Sequence, residues 1–496
     1  MSNIIETQYD EICETCDTLI KQNIKEPSRI ANNWLHVIRY HPIFLKDYKP
    51  IFEINNSLKF YFFLFKKACL YFALSVKRIL DIFSQKLPEK SNIKIENHDY
   101  ESIFISHLLK PEYIHNRKDF YFHELPEKFQ DSQKKSLIVN INHSKIKSSL
   151  LNNQIKNTNK IVLPEYLSIF KELQISFFLL KEATVMLLTE SPKDSNIRFK
   201  LQAAIEFMSP ASHFNFRIGK QIKGLVEQLK VNYIFTTFEG HAFERIVFSN
   251  ARKSNESIKC IGYQHALISR KQHAIKRKLG INYDPDFILT SGNDGKEKMI
   301  NSGLINEKKI FLLGTNRTSE KKILFKEKRN TFLVLPEGDL IECFPFVDLL
   351  FELAKFLPTY HFIIRFHPIT DIMKLKKERT QLINLPKNIM ISEISFDDDL
   401  KRSDFAVYGG STTIIKAIEN GLIPIYYHKK GENIIDPLFL LNKHKKSIKE
   451  SKDIHEVINV NEVVNIKNLN KLNLEIKQFF SPLNYNEVLK LKKLNK

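Results

Sequence analysis

The sequence predicts an α/β protein with two parallel-sheet domains facing a cleft and a helical extension at the N-terminus. Short apolar strands alternate with helical stretches from about residue 100 to 315, which is typical of a parallel sheet with crossover helices. A charged connection, TSEKKILFKEKRN, interrupts this alternation, which starts again at about residue 330. A chain of 496 residues is also too long for a single hydrophobic core.

These patterns divide the chain into four segments. TQYDEICETCDTLIKQ and the Phe/Leu-rich stretch at 58–84 indicate helices before the first strand. The tail is rich in Asn and Lys, and we expect it to pack back on the first domain. The predicted segments are a helical extension (1–95), a first Rossmann-like domain (96–328), a second Rossmann-like domain (329–450) and a helical tail (451–496).

Apolar runs that end in turn signals mark the strands of both domains. In the first domain they are YESIFISHLL, KSLIVNINHS, KIVLPEYL, VNYIFTTFEG, KCIGYQHA, PDFILTSG and KIFLLGTNR, with a long helical region at about 165–230. In the second they are TFLVLPEGD, HFIIRFHP, NIMISE, DFAVYGG and IPIYY, with helices at about 340–356 and around DDDLKRSD.

Charge and cysteine content limit the class of protein. The net charge of +20 suits nucleic acid, an anionic membrane or an anionic substrate, and it also matches a generally Asn/Lys/Ile-rich composition. Five scattered cysteines indicate a reducing compartment, and the Cys13-x-x-Cys16 pair lacks the partners of a metal site. The acidic N-terminus is not expected to be a signal peptide.

The most apolar segment, KFYFFLFKKACLYFALSVKRILDIF, is broken by Lys66-Lys67 and Lys77-Arg78. It therefore lacks the continuous run of apolar residues that a membrane-spanning helix needs. We expect a packed accessory helix, and the alternative is an aromatic, lysine-flanked helix lying on a membrane surface.

A phosphate-binding device is predicted in the second domain. HFIIRF is a buried strand that delivers Arg365 and His367 to its carboxyl end, where Pro368 stops the pairing. FAVY is followed by Gly409-Gly410, and Ser411, Thr412 and Thr413 are expected to cap a helix running to Asn420. The free N–H groups and positive dipole end of such a helix favour an anion. The LPEGD loop at Glu337 and Gly338 is expected at the same edge, either contacting the donor or forming a plain turn.

RFHP followed by GGSTT resembles the HP and Ser/Thr motifs of GT-B glycosyltransferases that build bacterial capsules and other surface polysaccharides. These include sialyltransferase-like and Kdo-transferase-like enzymes that use CMP-sugars, and the motifs are also similar to those of CDP-glycerol glycerophosphotransferases. The resemblance implies that His367, Ser411 and Thr412 contact the donor phosphate. It covers roughly residues 100–440. Many GT-B enzymes have a Glu in the following helix, where this chain has Lys416.

Glu239 is the predicted general base of the first domain. TTFEGHAFER places Glu239, Gly240 and His241 at the carboxyl end of a strand and the start of a helix, facing the cleft. Glu-Gly resembles half of the acidic motif with which bacterial sialyltransferases deprotonate the acceptor hydroxyl, because Phe238 occupies the other acidic position. An ordinary helix-capping role for Glu239 is the alternative, and Glu244 and Arg245 are expected to pair locally.

His265 is the second candidate for base or phosphate ligand, because it resembles the histidine that follows the corresponding strand in capsule and glycerophosphotransferase families. Gln264, His265 and Arg270 belong to a cluster with His273, Lys271, Lys276 and Arg277 that suits a phosphate or an acidic acceptor sugar. His107 and His143 end two strands of the same domain and are expected, with His241, on the acceptor side.

The sequence therefore predicts a metal-independent GT-B glycosyltransferase that needs no cofactor beyond its nucleotide-sugar co-substrate. The expected partners are that donor, with CMP favoured, and a polysaccharide or lipid-linked acceptor at the cytoplasmic membrane face. CDP-alditol phosphotransfer with His265 as base, and a non-catalytic GT-B scaffold, are alternatives. Nucleic-acid binding is disfavoured, because the lysines are spread along the chain and most aromatics lie in apolar runs.

Overall fold

The computed structural model describes residues 4–84, 99–130, 133–155, 159–189, 197–317, 329–428, 435–441, 445–458 and 462–493. Most of the predicted charged connection (318–328) lies outside these residues. The described parts form a helical extension, two parallel sheets with helices around them, and a helical tail. This is the predicted two-domain GT-B architecture. The residue boundaries between the four segments stay predictions.

The N-terminal extension is helical, as predicted. Ile12, Cys16 and Leu19 follow one another at helical spacing and are buried, so one face of its first helix packs into the core. Its helices are α1 (Glu6–Lys21), α2 (Pro27–Ala31), α3 (Pro42–Leu45), α4 (Lys49–Glu53) and α5 (Ser57–Ser84).

Every strand pair of the first sheet is parallel, with the order β3-β2-β1-β4-β5-β6-β7. The strands are nearly all buried, as expected for a sheet covered on both faces. They are β1 (Tyr100–Leu108), β2 (Lys135–Asn142), β3 (Lys160–Val162), β4 (Tyr233–Thr237), β5 (Lys259–Gln264), β6 (Phe287–Thr290) and β7 (Ile310–Leu312). The helices are α6 (Leu125–Phe129), α7 (Ser148–Gln154), α8 (Ile169–Leu188), α9 (Ile197–Glu206), α10 (Pro210–Leu229), α11 (Ala242–Ser254) and α12 (Asn293–Ser302).

The second sheet is also wholly parallel, with the order β10-β9-β8-β11-β12-β13. Its strands are β8 (Thr331–Leu335), β9 (His361–Ile364), β10 (Ile389–Ile391), β11 (Phe405–Tyr408), β12 (Ile423–Tyr427) and β13 (Lys446–Ile448). Its helices are α13 (Leu340–Phe356), α14 (Ile372–Glu378), α15 (Phe396–Lys401) and α16 (Ile414–Glu419). The sequence patterns did not indicate β13, because KSI is short and largely polar.

The tail contacts both domains. It consists of α17 (Ile454–Ile458), α18 (Glu462–Ile476) and α19 (Tyr485–Lys493). Leu472 of α18 is buried in the core beneath α16, whereas Val488 and Leu491 of α19 are buried against the first sheet. Across the cleft, Leu267 of the first domain joins the hydrophobic core of the second. The two domains therefore share packed surface at the base of the cleft.

Candidate functional site

Several polar side chains follow strands of the first sheet at its carboxyl edge. His107 lies near the end of β1, His143 directly follows β2, Glu239 lies two residues after β4, and His265 directly follows β5. Because the strands are parallel and β2, β1, β4 and β5 are neighbours, these residues share one edge. We call this group, with His241 and Tyr121, the acceptor edge.

His107 and His143 meet at this edge. Nδ1 of His107 lies 2.9 Å from Nε2 of His143, and Nε2 of His107 lies 3.1 Å from Oγ1 of Thr237. Burial lowers the pKa of both histidines, and the neighbouring His143 lowers that of His107 further. Both rings are therefore neutral near pH 7, and they form a hydrogen-bonded chain that can relay or accept a proton.

Glu239 pairs with His241. Oε2 of Glu239 lies 3.3 Å from Nε2 of His241. Burial raises the pKa of Glu239, but the hydrogen bond from His241 and the positive charges of His241 and Arg39 outweigh it, so the net pKa is lowered. Burial lowers the pKa of His241, but the carboxylates of Glu239 and Glu244 raise it overall. The two residues thus form an ion pair, with about a quarter of the Glu239 side chain exposed to the cleft.

Glu244 holds the turn that presents Glu239. Its carboxylate accepts the backbone N–H groups of Glu239, Gly240 and His241 at 2.8–3.1 Å. Burial raises the pKa of Glu244 to about 7. Gly240 has a φ of +90°, and a Cβ there would overlap the backbone of Ala274, so only glycine fits this turn.

The expected local pair of Glu244 and Arg245 does not form. The Arg245 guanidinium is fully buried and pairs with Asp284 instead. Glu244 is engaged by backbone N–H groups, which explains why the two neighbours diverge.

His265 faces the acceptor edge from β5. Its ring lies edge-on to Tyr121 with the ring centroids 4.8 Å apart. Nδ1 of His265 is buried and has no hydrogen-bond partner among the described residues. Burial lowers the pKa of His265 to about 4. Gln264, its predicted companion, is instead buried against Gly295, where its amide donates to the carbonyl of Ala266, so it does not reach the cleft.

The basic cluster after β5 is largely neutralised by α1. Lys271 pairs with Asp10, and Arg270 pairs with Glu6. Asp17 accepts from both His273 at 2.8 Å and Arg277 at 3.0 Å. The expectation that this cluster serves an acceptor anion is therefore corrected for His273, Lys271 and Arg277. Arg270 lies in the wall of the cleft, although its guanidinium is engaged by Glu6.

In the second domain, the loop at Glu337 and Gly338 contacts both the HP motif and the Gly-Gly motif. Nδ1 of His367 accepts the N–H of Ile369 at 3.2 Å, and the ring lies against Gly338. The side chain of Glu337 lies against Gly410, where an added Cβ would overlap Oε1 of Glu337. Burial lowers the pKa of His367, Glu337 raises it, and Lys110 of the first domain lowers it. His367 therefore lies within electrostatic reach of the opposite domain.

The hydroxyl residues do not cap α16 as predicted. The helix spans only Ile414–Glu419, and its N-cap residue, Thr413, makes no side-chain capping hydrogen bond. Instead, Oγ of Ser411 and Oγ1 of Thr413 lie 2.7 Å apart. Ser411, Thr412 and Thr413 remain partly or largely exposed, and Thr412 lines a pocket in the cleft. The hydroxyl groups therefore lie at the surface of this loop.

Arg365 has a structural role in the second domain. Its Nη1 lies 2.8 Å from Oδ2 of the fully buried Asp399 and also donates to Ser392 and Ile394. The predicted contact of Arg365 with the donor phosphate is therefore corrected, because this nitrogen already holds β9, β10 and α15 together.

Arg39 is a site residue that the sequence patterns missed. It lines a pocket in the cleft with Leu267 and Arg270 of the first domain and Gly410 and Thr412 of the second. Its Nε is buried without a hydrogen-bond partner, and it forms no ion pair with any residue that the structure describes. Its positive charge acts on both Glu239 and His241. Arg39 thus lies beside the Gly-Gly loop, and its charge reaches the acceptor edge.

Backbone pairing fixes Arg39 in this place. The N–H of Tyr40 donates to the carbonyl of Lys271 at 2.8 Å, and the N–H of His273 donates to the carbonyl of Ile38 at 3.1 Å. A single arginine in a helical extension has no local sequence signal, because its position depends on these contacts with a loop far along the chain.

Within the described ranges, no group of three or more His, Cys, Asp or Glu side chains is arranged to hold a metal ion. Cys13 and Cys16 are buried free thiols in the core of the extension. Nor is any described helix both long and apolar enough to cross a membrane.

No protein-family model and no curated protein matches the chain. Among solved structures, it is similar to a UDP-GlcNAc 2-epimerase from Neisseria meningitidis bound to UDP-GlcNAc, with 12% identity over 80% of this chain and 100% of that one and a TM-score of 0.47. It is also similar to a glycosyltransferase from Rickettsia africae, with 12% identity, 80% and 98% coverage and a TM-score of 0.42. A lipopolysaccharide outer core galactosyltransferase has 13% identity, 79% and 99% coverage and a TM-score of 0.43. At such identities the likeness concerns the fold alone.

Proposed function

We propose that the protein is a glycosyltransferase that moves a sugar from a nucleotide-activated donor, with a CMP-sugar favoured, to a growing surface polysaccharide or glycolipid. The reaction needs no metal and no cofactor beyond the donor, and it takes place at the cytoplasmic face of a membrane. The proposal rests on the residues of the cleft described above and on the resemblance of the RFHP and GGSTT motifs.

The position of Arg39 is the observation that carries this proposal. A guanidinium without an ion-pair partner among the described residues lines a pocket with Gly410 and Thr412 of the second domain, and its charge also acts on Glu239 of the first. Arginine binds phosphate and carboxylate groups in a bidentate manner. A nucleotide-sugar carries its phosphate directly beside the reacting anomeric carbon, so Arg39 is placed to bind the group that departs.

Glu239 is the proposed base for the acceptor hydroxyl. A carboxylate with a lowered pKa is a weak base while it is paired with His241, so we infer that the acceptor hydroxyl displaces His241 as the hydrogen-bond donor to Glu239. Loss of that hydrogen bond raises the carboxylate pKa toward the operating pH. The hydroxyl oxygen then attacks the anomeric carbon, its proton passes to Glu239, and the bond from that carbon to the phosphate oxygen breaks.

The donor phosphate is bound from the opposite side. His367, through its second ring nitrogen, and the hydroxyl groups of Ser411 and Thr412 are the proposed hydrogen-bond donors, with Arg39 supplying the positive charge. Glu337, Gly338 and Gly410 shape this pocket rather than contact the phosphate. Fixed donors that match the charge developing on the departing phosphate stabilise the transition state without reorganisation.

Phosphoglycerol or phosphoribitol transfer from a CDP-alditol is the second candidate, with His265 as the base. The buried, unpartnered Nδ1 of His265 favours it, because a neutral imidazole with a free nitrogen can accept a proton. In this reaction the acceptor oxygen attacks phosphorus and CMP departs.

Substitution of the two bases separates the candidates. CMP release from CMP-sialic acid, CMP-Kdo and CDP-glycerol is measured with a glycolipid extract as acceptor. We expect Glu239→Gln to lower turnover of a CMP-sugar by roughly 100-fold or more, and His265→Gln by less than about tenfold. Glu256→Gln, an exposed site on the first domain, is the matched control and keeps full turnover. Turnover of CDP-glycerol that depends on His265 and not on Glu239 would establish the second candidate instead.

A further inference from the structure

The solvent side of α5 is apolar. Only Phe60 and Leu64 of this 28-residue helix are buried, and they pack with α9 in the core of the extension. The outer side carries a row of exposed apolar residues spaced three, four or seven positions apart: Leu58, Phe62, Phe65, Phe72, Val76, Leu80 and Phe83. That spacing places them on one face of the helix, which is about 42 Å long. Phe72 is 70% exposed and Leu58 is 79% exposed, so nothing in the described chain covers this row.

A second exposed row lies on α8. Its members are three, four or seven positions apart and are Phe170, Leu173, Phe177, Leu180 and Leu187. Nη2 of Arg78 on α5 donates to Oγ of Ser176 on α8 at 3.2 Å, so the two helices lie side by side at that point. We call these two rows together the α5–α8 face. Monomeric soluble proteins rarely expose apolar patches of this extent, and such patches mark interaction sites.

The charges on this face are mainly basic. Lys59, Lys66 and Lys77 are exposed along α5, where Asp81 is the single acidic residue. The acidic residues of α8 are buried and paired, Glu172 with Arg217 and Glu182 with Arg29.

A group of lysines lies beside the Phe170 end of α8. Burial lowers the pKa of Lys220, and the charges of Lys223, Lys253 and Lys171 lower it further, so each of these three amines lies within electrostatic reach of Lys220. The α5–α8 face therefore combines aromatic and aliphatic side chains with lysines at its borders.

We propose that the α5–α8 face docks on an anionic lipid bilayer, with the Phe and Leu rows entering the acyl boundary and the lysines contacting lipid phosphates. Amphipathic helices with aromatic apolar faces and basic borders bind membranes in this way. The inference deepens the membrane location given under the proposed function, but it does not depend on which nucleotide binds. The helices lie on the bilayer rather than cross it, since no described helix has the length and apolarity to span it.

Charge distinguishes a bilayer from a second copy of the chain as the occupant. In a symmetric dimer, the exposed lysines of one α5 would face those of the other, and Asp81 is the only acid on the helix that could offset them. An anionic bilayer instead attracts each lysine.

Docking on this face would hold the acceptor edge near the lipid. A cavity of 410 Å³ lies between α5 and the first sheet. Leu74, Lys77 and Arg78 of α5 form one wall, and Asn142 at the end of β2 forms part of another. His143, the next residue, belongs to the acceptor edge.

The test is flotation of the full-length protein with vesicles of phosphatidylcholine alone or mixed with phosphatidylglycerol. We expect binding to the anionic vesicles and a loss of at least about tenfold in Phe62→Ser/Phe65→Ser/Phe72→Ser. Lys59→Gln/Lys66→Gln/Lys77→Gln should lower the partition coefficient for anionic vesicles by roughly 100-fold. These residues are exposed, so the variants should fold, which their melting temperatures check.

Exposed residues elsewhere give matched controls. Ile281→Ser and Leu474→Ser remove apolar side chains outside the face, and Lys374→Gln/Lys377→Gln/Lys387→Gln removes three charges from the second domain. Both controls should float like the wild type. Absence of flotation, or equal losses in face and control variants, overturns the inference. A dimer in solution that the phenylalanine variant converts to a monomer identifies a second copy as the occupant and also overturns it. Nucleotide stabilisation, measured on the same samples, reports separately on the proposed function.

Discussion

Nε2 of His41 lies 2.9 Å from Oε2 of Glu337, which ties the helical extension to the loop after the first strand of the second domain. Nδ1 of His41 accepts the N–H of Ile43 at 3.2 Å, so Nε2 carries the proton that is donated to the carboxylate. Because Glu337 also lies against Gly410, this single contact supports the Gly-Gly loop and positions the chain beside Arg39. The extension is therefore part of the cleft.

The His41–Glu337 contact should stabilise the fold measurably. We expect His41→Ala to lower the free energy of unfolding by about 1–3 kcal/mol, because it removes the hydrogen bond to Oε2 of a largely buried carboxylate. The double variant His41→Ala/Glu337→Gln should be less destabilised than the sum of the two single variants. Denaturant unfolding measures all three, with exposed His115→Ala as control. Strict additivity would show that the contact contributes nothing.

A side chain at position 410 should displace the carboxylate of Glu337. A Cβ there overlaps Oε1 of Glu337, so we expect Gly410→Ala to destabilise the protein by about 1–3 kcal/mol and to weaken nucleotide binding. Shortening the opposing side chain, in Gly410→Ala/Glu337→Ala, should recover part of that stability. The matched control is Gly224→Ala in α10, where an added Cβ meets nothing within 4 Å and should be neutral or stabilising. Equal effects at the two glycines would contradict the predicted overlap.

Arg365 should contribute to the stability of the fold and not to the affinity for the donor nucleotide. Arg365→Gln removes one of two arginines from the fully buried carboxylate of Asp399, and we expect a loss of about 3 kcal/mol. Nucleotide affinity, measured by calorimetry at a temperature where the variant is folded, should stay within about twofold. Arg379→Gln, whose partner Asp348 is half exposed, should lose less than about 1 kcal/mol. Loss of nucleotide affinity in a folded Arg365→Gln protein would return this residue to the donor site.

His265 should make the protein sensitive to acid. Its pKa is near 6.5 in an unfolded chain and about 4 in the folded one, so both states are neutral above pH 6.5 and the stability is fully present there. As the pH falls from 6.5 to 4, the unfolded chain binds a proton that the folded chain does not, and stability falls by up to about 3 kcal/mol. His265→Asn should lack this loss in denaturant unfolding across that window. Parallel stability curves for the two proteins would contradict the buried neutral state.

The architecture was predictable because the strands of both sheets are compact apolar runs between turn residues. Where this signal weakens, the prediction failed. The KSI strand near the end of the second domain has no apolar run, and the helix after Gly410 lacks the predicted side-chain cap, although it ends at Asn420 as predicted. A local sequence pattern reveals an element when the element itself has a run of apolar residues to bury. A short element lacks such a run, and its formation depends on the neighbouring elements that cover it.

The candidate site was only partly predictable for the same reason. Glu239, His107, His143 and His265 could be located because each follows a strand, and parallel strands end at a common edge. The basic loop after β5 was misread because the acids of α1 that pair with it lie more than 250 residues away along the chain. Arg39 was missed because only the contacts of its neighbours with that loop bring it into the cleft.

The most direct test of the donor site is thermal stabilisation by CMP, CDP, UDP and GDP in the wild type, Arg39→Gln and His367→Ala. A ligand at 100 times its dissociation constant adds about 2.7 kcal/mol to the free energy of unfolding. The account predicts that CMP or CDP raises the melting temperature of the wild type and of Arg379→Gln, and that both cleft variants lose the shift while keeping their unliganded stability. No shift with any nucleotide, or an unchanged shift in both cleft variants, would contradict a nucleotide site between Arg39 and the Gly410 loop.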